Sequence, residues 1–310
     1  MNEPKGQELI DRYKDICNIP ADAFISEEMI LKHWELEKEL ARRLLNSKPD
    51  DRLETFEACY STLYSELKWL NDHFDEGTSY ATKKKGFQKW LELIGSPSTQ
   101  RIYEVGSGKA GLISFIARHG YSCIATEITK ERGEKYSTSN ITWKSSDGVH
   151  LGKYEQHESC DVVISDQVIE HIHPDDTQDH FCGVYDILKP RGRYIFRVPH
   201  RFTGPHDVSR VFNCEMALGV HLRELTFEEI RTLAKAARFT EVGVVLIGSR
   251  RKIRRLFSRD GNVSTSKYLD IAILIERIIR YVPSAKLQRL AIRTATYLGL
   301  FPGIFVVARK

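Results

Sequence analysis

After residue 98 the period of the sequence changes. Short β-branched runs (RIYEV, SCIATEI, ITWKSS, DVVIS, RYIFRVP and EVGVVLIG) alternate with stretches of helical spacing such as GLISFIARHG, KERGEKYSTS and LTFEEIRTLAKAARF. Two strands separated by a helix cannot close as a hairpin; the crossover returns the second strand parallel to the first. The alternation therefore predicts an α/β fold with a parallel sheet covered by helices on both faces. The closing GIFVVARK reads as one more strand.

Ahead of this region, from residue 5 to about 77, apolar residues recur at three and four, as in Leu36, Leu40 and Leu44 or Phe56, Tyr60, Leu63, Tyr64 and Leu67. Ser26 before Glu27 and Glu28 reads as a helix start. Two domains follow: a helical region over 1–97, serving as a lid or a packing layer, and a sheet domain over 98–310. The sheet domain carries a basic, amphipathic helical insertion at about 249–300, opening with SRRKIRRLFSR. Its arginines Arg250 to Arg259 are either solvated or a contact for a membrane surface or an anionic substrate.

With 310 residues, 41% of them hydrophobic and 28% charged, the chain can bury a sizeable core. A formal net charge of +4 gives no strong nucleic-acid signal. Six cysteines without a C-x-x-C pair suit a reducing compartment. The first residues show no secretory signal, and the apolar window at 297–308 is too short to span a bilayer and is broken by Pro302. The expectation is a cytoplasmic protein, peripheral to a membrane at most.

The stretch YEVGSGKAGL at 103–112 reads as a strand entering a glycine turn that opens a helix. Gly106, Gly108 and Gly111 satisfy G-x-G-x-x-G, a pattern shared with dinucleotide folds, so a nicotinamide oxidoreductase is one reading. Glu104 argues for a different ligand. A carboxylate two residues ahead of the first glycine repels a pyrophosphate and welcomes a cation. Glu127 closes the second strand about twenty residues on, where an acid reaches ribose hydroxyls. Asp147 closes the third strand, within reach of the exocyclic amine of an adenine, and Asp166, Gln167, Glu170 and His171 close the fourth.

In this order and spacing, E-x-G-x-G, the acid after strand two, the Asp after strand three, SDQVIEHI and LKPRGRYIFRVPH resemble the class I S-adenosylmethionine-dependent methyltransferases, including the small-molecule and ubiquinone-type O-methyltransferases. The resemblance spans roughly residues 98–248, with GIFVVARK resembling the family's last, antiparallel strand. It implies a Rossmann-like sheet of seven strands, with S-adenosylmethionine along its carboxyl edge. Glu104, Gly106, Ser107 and Gly108 would line the methionine and ribose, and Glu127 with Ile128 the ribose hydroxyls. Asp147 and Gly148 would face adenine, and Asp166 and Gln167 the sulfonium. Some relatives hold a divalent ion with a Glu at the position of Gln167; the neutral amide is a weaker ligand, and no metal is expected here.

Methyl transfer needs alignment and exclusion of water more than further activation, but a hydroxyl acceptor also benefits from a base. His206 beside Asp207 leads the candidates, with His171 and His221 behind it. His200, Arg201, Arg210 and His221 are candidate acceptor-binding residues, because loops after strands usually carry recognition. SDQV stands where base-methylating enzymes carry N-P-P-Y or N-P-P-F, which argues against nucleic-acid N-methylation. The expected reaction is methylation of a small-molecule or glycan-linked acceptor, at a hydroxyl oxygen. The alternatives are small-molecule N-methylation, the oxidoreductase, and a non-catalytic module binding membrane or nucleic acid.

Overall fold

A computed structural model describes residues 4–70, 80–97, 100–129, 140–245, 264–297, 301 and 303–310. The expected helix KERGEKYSTS and the Arg250–Arg259 patch both lie outside the described residues. The chain divides into two compact units, one of residues 1–92 with 204–223, the other of residues 93–203 with 224–310. The segment after the fifth strand, assigned from sequence to the sheet domain, thus makes its contacts with the N-terminal helices.

The first unit contains α1 (Gly6–Cys17), α2 (Glu27–Leu45), α3 (Arg52–Glu66) and most of α4 (Tyr80–Ile94). Ser26 caps α2 by accepting the Met29 amide, with Glu27 and Glu28 in the first turn to complement the helix dipole. Leu40, Ala41 and Leu44 of α2 and Phe56, Cys59, Tyr60 and Leu63 of α3 form the buried faces that the spacing predicted. The segment 204–223 is joined to these helices by Trp34 stacked on Phe212 and by Arg12 donating to the carbonyls of Arg210 and Val211.

The second unit is built on β1 (Arg101–Val105), β2 (Ser122–Glu127), β3 (Ile141–Ser145), β4 (Cys160–Asp166), β5 (Leu188–Val198), β6 (Glu241–Val245), β7 (Ser264–Thr265) and β8 (Ile304–Arg309). The strand order is β3-β2-β1-β4-β5-β8-β6-β7. The first five pair in parallel, and β8 enters antiparallel between β5 and β6. Seven strands match the expected sheet; the two-residue β7 adds an eighth, antiparallel along β6. Its helices are α5 (Gly111–Ala117), α6 (Thr177–Ile187), α7 (Phe227–Ala236), α8 (Ser266–Arg280) and α9 (Ala285–Tyr297). Strands buried on both faces read as continuous apolar runs, and β8 and β6 are buried over all but one residue each. No helix among the described residues is long and apolar enough to cross a membrane.

Candidate functional site at the carboxyl edge of the sheet

The chain leaves β1 toward β2 and β3 on one side and returns to β4 on the other, so the strand order reverses between β1 and β4. The carboxyl end of such a reversal opens a crevice where open α/β sheets bind ligands. The register sets Glu104 beside Ala125 of β2 and Ile164 of β4, with Val105 beside Ser165. The glycine turn begins at this point. Gly106 takes φ +65°, and an added Cβ would meet Val168 Cγ2 at 2.7 Å. Gly108 takes φ +53° over open space, with nothing within 4 Å of such a Cβ. The Ser107 amide donates to the Thr126 carbonyl and its hydroxyl accepts from the Thr126 amide, binding the turn to β2. Glu127 Oε2 accepts from the Gly108 amide at 2.8 Å, and Oε1 from the Ile128 amide.

Glu104 is 3% exposed, and its Oε2 has no hydrogen-bond partner. Burial pushes its pKa up to about 8; the charges of Asp166 and Glu127 add to the rise and a hydrogen bond from Ser107 opposes it. A buried carboxylate with an idle oxygen is costly unless a donor or a cation reaches it. Asp166 is compensated: Arg197, its register partner on β5, donates Nε and Nη2 to its two oxygens at 2.7 Å each. The crevice therefore holds one charge-neutralised acid and one buried acid awaiting a positive group.

A family model described as "Methyltransferase domain" matches residues 103–196, from β1 to within β5. The glycine turn and the ends of β1, β2, β3 and β4 thus lie in a segment that matches a methyltransferase domain. Among solved structures, one of a SAM-dependent methyltransferase from Archaeoglobus fulgidus is similar at 14% identity, over 78% of this chain and 99% of that one, with a TM-score of 0.51. Another, of 1,6-didemethyltoxoflavin-N1-methyltransferase from Burkholderia thailandensis, aligns at 14% identity over 85% of this chain and 91% of that one, with a TM-score of 0.48. The first of these likenesses is one of fold. No curated protein matches the sequence.

Within the matched segment, Glu104, Gly106, Ser107, Gly108, Glu127 and Asp166 converge on one edge, tied by the bonds and electrostatic interactions above. Ile128 follows Glu127, half-buried, and Gln167 stands exposed with φ +59°. Asp147 follows β3 and holds its own turn: its Oδ1 accepts from the Val149 and His150 amides and its Oδ2 meets His150 Nδ1. Gly148 takes φ +70°, and its carbonyl accepts from His180 Nδ1.

Two of the proposed acceptor residues hold the fold instead. His200 is fully buried: Nδ1 accepts the Phe202 amide, so Nε2 carries the proton it gives to Glu276 Oε1 at 2.7 Å. Arg201 donates to the Glu224 carbonyl and to Glu229, pinning the entry to α7. Asp207, the acid beside the candidate base His206, is bound to backbone of its own segment. Asp207 accepts from the Ser209 and Gly219 amides, staking the 3-10 turn at Val208–Arg210, and burial raises its pKa. His206, Arg210 and His221 belong with it to the helical unit, Arg210 exposed and both histidines half-buried. His171 ends the 3-10 turn Ile169–His171 just past β4, half-buried, on the edge that carries Asp166.

Three features escaped the sequence reading. Arg197 was signalled only by a cation in an apolar strand facing an acid at the same register. His180 gives a proton to Gly148 and faces the Tyr194 hydroxyl at 2.7 Å, which meets Ser165 Oγ at 2.7 Å. Burial lowers the His180 pKa to about 4, so this relay from the loop after β3 to the end of β4 stays neutral at ordinary pH. In the helical unit, Tyr13, His33 and Glu37 form a buried chain, and Glu37 Oε2 accepts the Val220 amide next to His221. Nothing in the helical spacing marks either chain.

Proposed function

We propose that the protein transfers the methyl group of S-adenosylmethionine to a hydroxyl oxygen of a small-molecule or glycan-linked acceptor. The observation that carries the cofactor is the buried, half-partnered carboxylate of Glu104 at the sheet's reversal point, beside a left-handed turn with open space over Gly108. A cation and its adjoining nucleoside suit that arrangement, because a positive charge favours ionised Glu104, whereas the pyrophosphate of a nicotinamide cofactor would find the Gly108 amide already held by Glu127. The sulfonium supplies an activated methyl when bound, so the chain's task is to orient and to keep water out. Glu104 would hold the positive end of the amino acid. Glu127, with both oxygens already on backbone amides, keeps lone pairs for ribose hydroxyls.

On this reading His171 is the favoured base, because it stands on the same edge as Asp166, whereas Asp207 is occupied by backbone amides. A hydroxyl acceptor is favoured by this imidazole, while SDQV at the end of β4 speaks only against a nucleic-acid base.

Calorimetry with S-adenosylmethionine and NADH tests the cofactor, and release of S-adenosylhomocysteine across hydroxyl and amine acceptors tests the reaction. The expected result is saturable binding of S-adenosylmethionine alone, weakened roughly 10- to 150-fold by Glu104→Gln, since hydrogen bonds to charged groups are worth about 1.5–3 kcal/mol. Preferential NADH binding would overturn the cofactor reading, and turnover confined to amines would overturn the hydroxyl.

A further inference from the structure

We propose that the hairpin of α8 and α9 docks the protein on an anionic lipid surface. The proposal does not depend on the methyl-transfer reading. α8 buries one face, including Tyr268, Leu269, Ala272, Ile273 and Ile279, and α9 lies beside it, with the Gln288 side chain donating to the Ile279 carbonyl. The outer faces are not polar. Leu274, Ile278 and Tyr281 stand at i, i+4 and i+7, and Tyr281 is 86% exposed. On α9, Leu287, Leu290 and Tyr297 repeat the stripe at 55%, 60% and 76% exposure. Scattered surface leucines are ordinary, but a stripe on each of two adjoining helices marks an interaction site.

Charge selects the occupant. Of the chain's 46 lysines and arginines 14 lie after residue 249, against 3 of its 42 acidic residues, and no acid follows Glu276. Around the helix axis, exposed Lys286 and Arg293 flank the Leu290 and Tyr297 stripe, and α9 contains no Asp or Glu. Arg277 and Arg280 of α8 pair with Glu228, which leaves Lys286 and Arg293 of α9 to carry positive charge on this face. Leucine and tyrosine at the centre with cations at the border suit a headgroup layer, where aromatic rings sit at the interface and long cationic side chains reach phosphates. A second copy packed on the same face would set these cations against each other. A nucleic acid would leave the leucines without use.

Sedimentation of the full chain with vesicles tests the proposal, one set of phosphatidylcholine and one of phosphatidylcholine with an equal part of phosphatidylglycerol. The expected result is binding to the anionic vesicles alone, falling about tenfold or more as salt is raised. Leu287→Ser with Leu290→Ser, and separately Lys286→Gln with Arg293→Gln, should each weaken it about tenfold, with unchanged circular dichroism and melting temperature. These positions are exposed, so folding should survive both pairs of changes. Equal binding to neutral vesicles, no binding, or binding indifferent to both variants would overturn the proposal. So would a dimer that the leucine variant dissociates, or RNA binding that displaces the vesicles.

Discussion

Glu104 links proton, cation and stability in one side chain. The folded, ligand-free protein holds its proton up to about pH 8, whereas an ordinary carboxyl releases it near 4.5. Between those values the folded state binds more protons than the unfolded one, so this residue's contribution to stability declines as pH rises from 4.5 to about 8. A bound cation reverses the preference by favouring the ionised form. Binding of S-adenosylmethionine at about pH 7 should therefore release most of one proton, and the affinity should rise with pH until Glu104 is ionised without ligand. Calorimetry in buffers of different ionisation heat reads the release directly; in Glu104→Gln it should vanish. A release unchanged in that variant would move the effect to another group.

At the scale of elements, the strand-turn-helix from β1 to α5 shows what three glycines in one motif do separately. Gly106 lies against Val168, and a methyl there meets that side chain at 2.7 Å in a left-handed backbone. Gly106→Ala should lower stability by roughly 1–3 kcal/mol through overpacking and backbone strain, seen as an earlier denaturant midpoint. Gly108 shares the backbone strain but faces open space, so Gly108→Ala should cost only about 1 kcal/mol in stability while lowering affinity for S-adenosylmethionine more sharply. Equal losses in both properties for the two variants would contradict this division. Gly111, the third of the pattern, opens α5 after Ala110, whose φ of +57° shows that the left-handed turn is completed without a glycine. The motif was legible because strand, turn and helix are contiguous. The individual duties of its glycines depend on Val168, sixty residues away, and were not.

At the scale of the whole molecule, Glu276 ties the late insertion to the sheet unit. Its Oε1 accepts from His200 Nε2 and the Phe227 amide, and its Oε2 from the Glu228 amide, so one carboxylate on α8 caps α7 and anchors the strand end after β5. Thr226 and Glu229 complete a capping box on the same helix start. Removing one member of a fully buried pair strands the other, at a cost of about 3–5 kcal/mol. Glu276→Ala should accordingly bring a large fall in the chemical denaturation midpoint with little change in cofactor affinity of the folded fraction; a selective loss of binding would give His200 back a place in the site. The two-unit division has the same character. Residues 204–223 follow a strand of the sheet in sequence but take their packing from α1 and α2, through Arg12, Trp34 and Glu37.

The sequence by itself determined the β/α alternation, its parallel sheet and the glycine turn with Glu104 before it and Glu127 at the next strand end, because each rests on local period and on the order of short motifs; the reversal of the last strand was implied by the family resemblance alone. Only the tertiary structure decided which polar side chains are spent on the fold. His200, Arg201 and Asp207 carry the chemistry of a site, yet each is taken by backbone amides, a carbonyl or a distant carboxylate. Glu104 is left with an idle oxygen. The physical reason is that a buried polar group must find a partner wherever the chain supplies one. Period and spacing place a residue on a strand end; they do not record which far segment reaches it first.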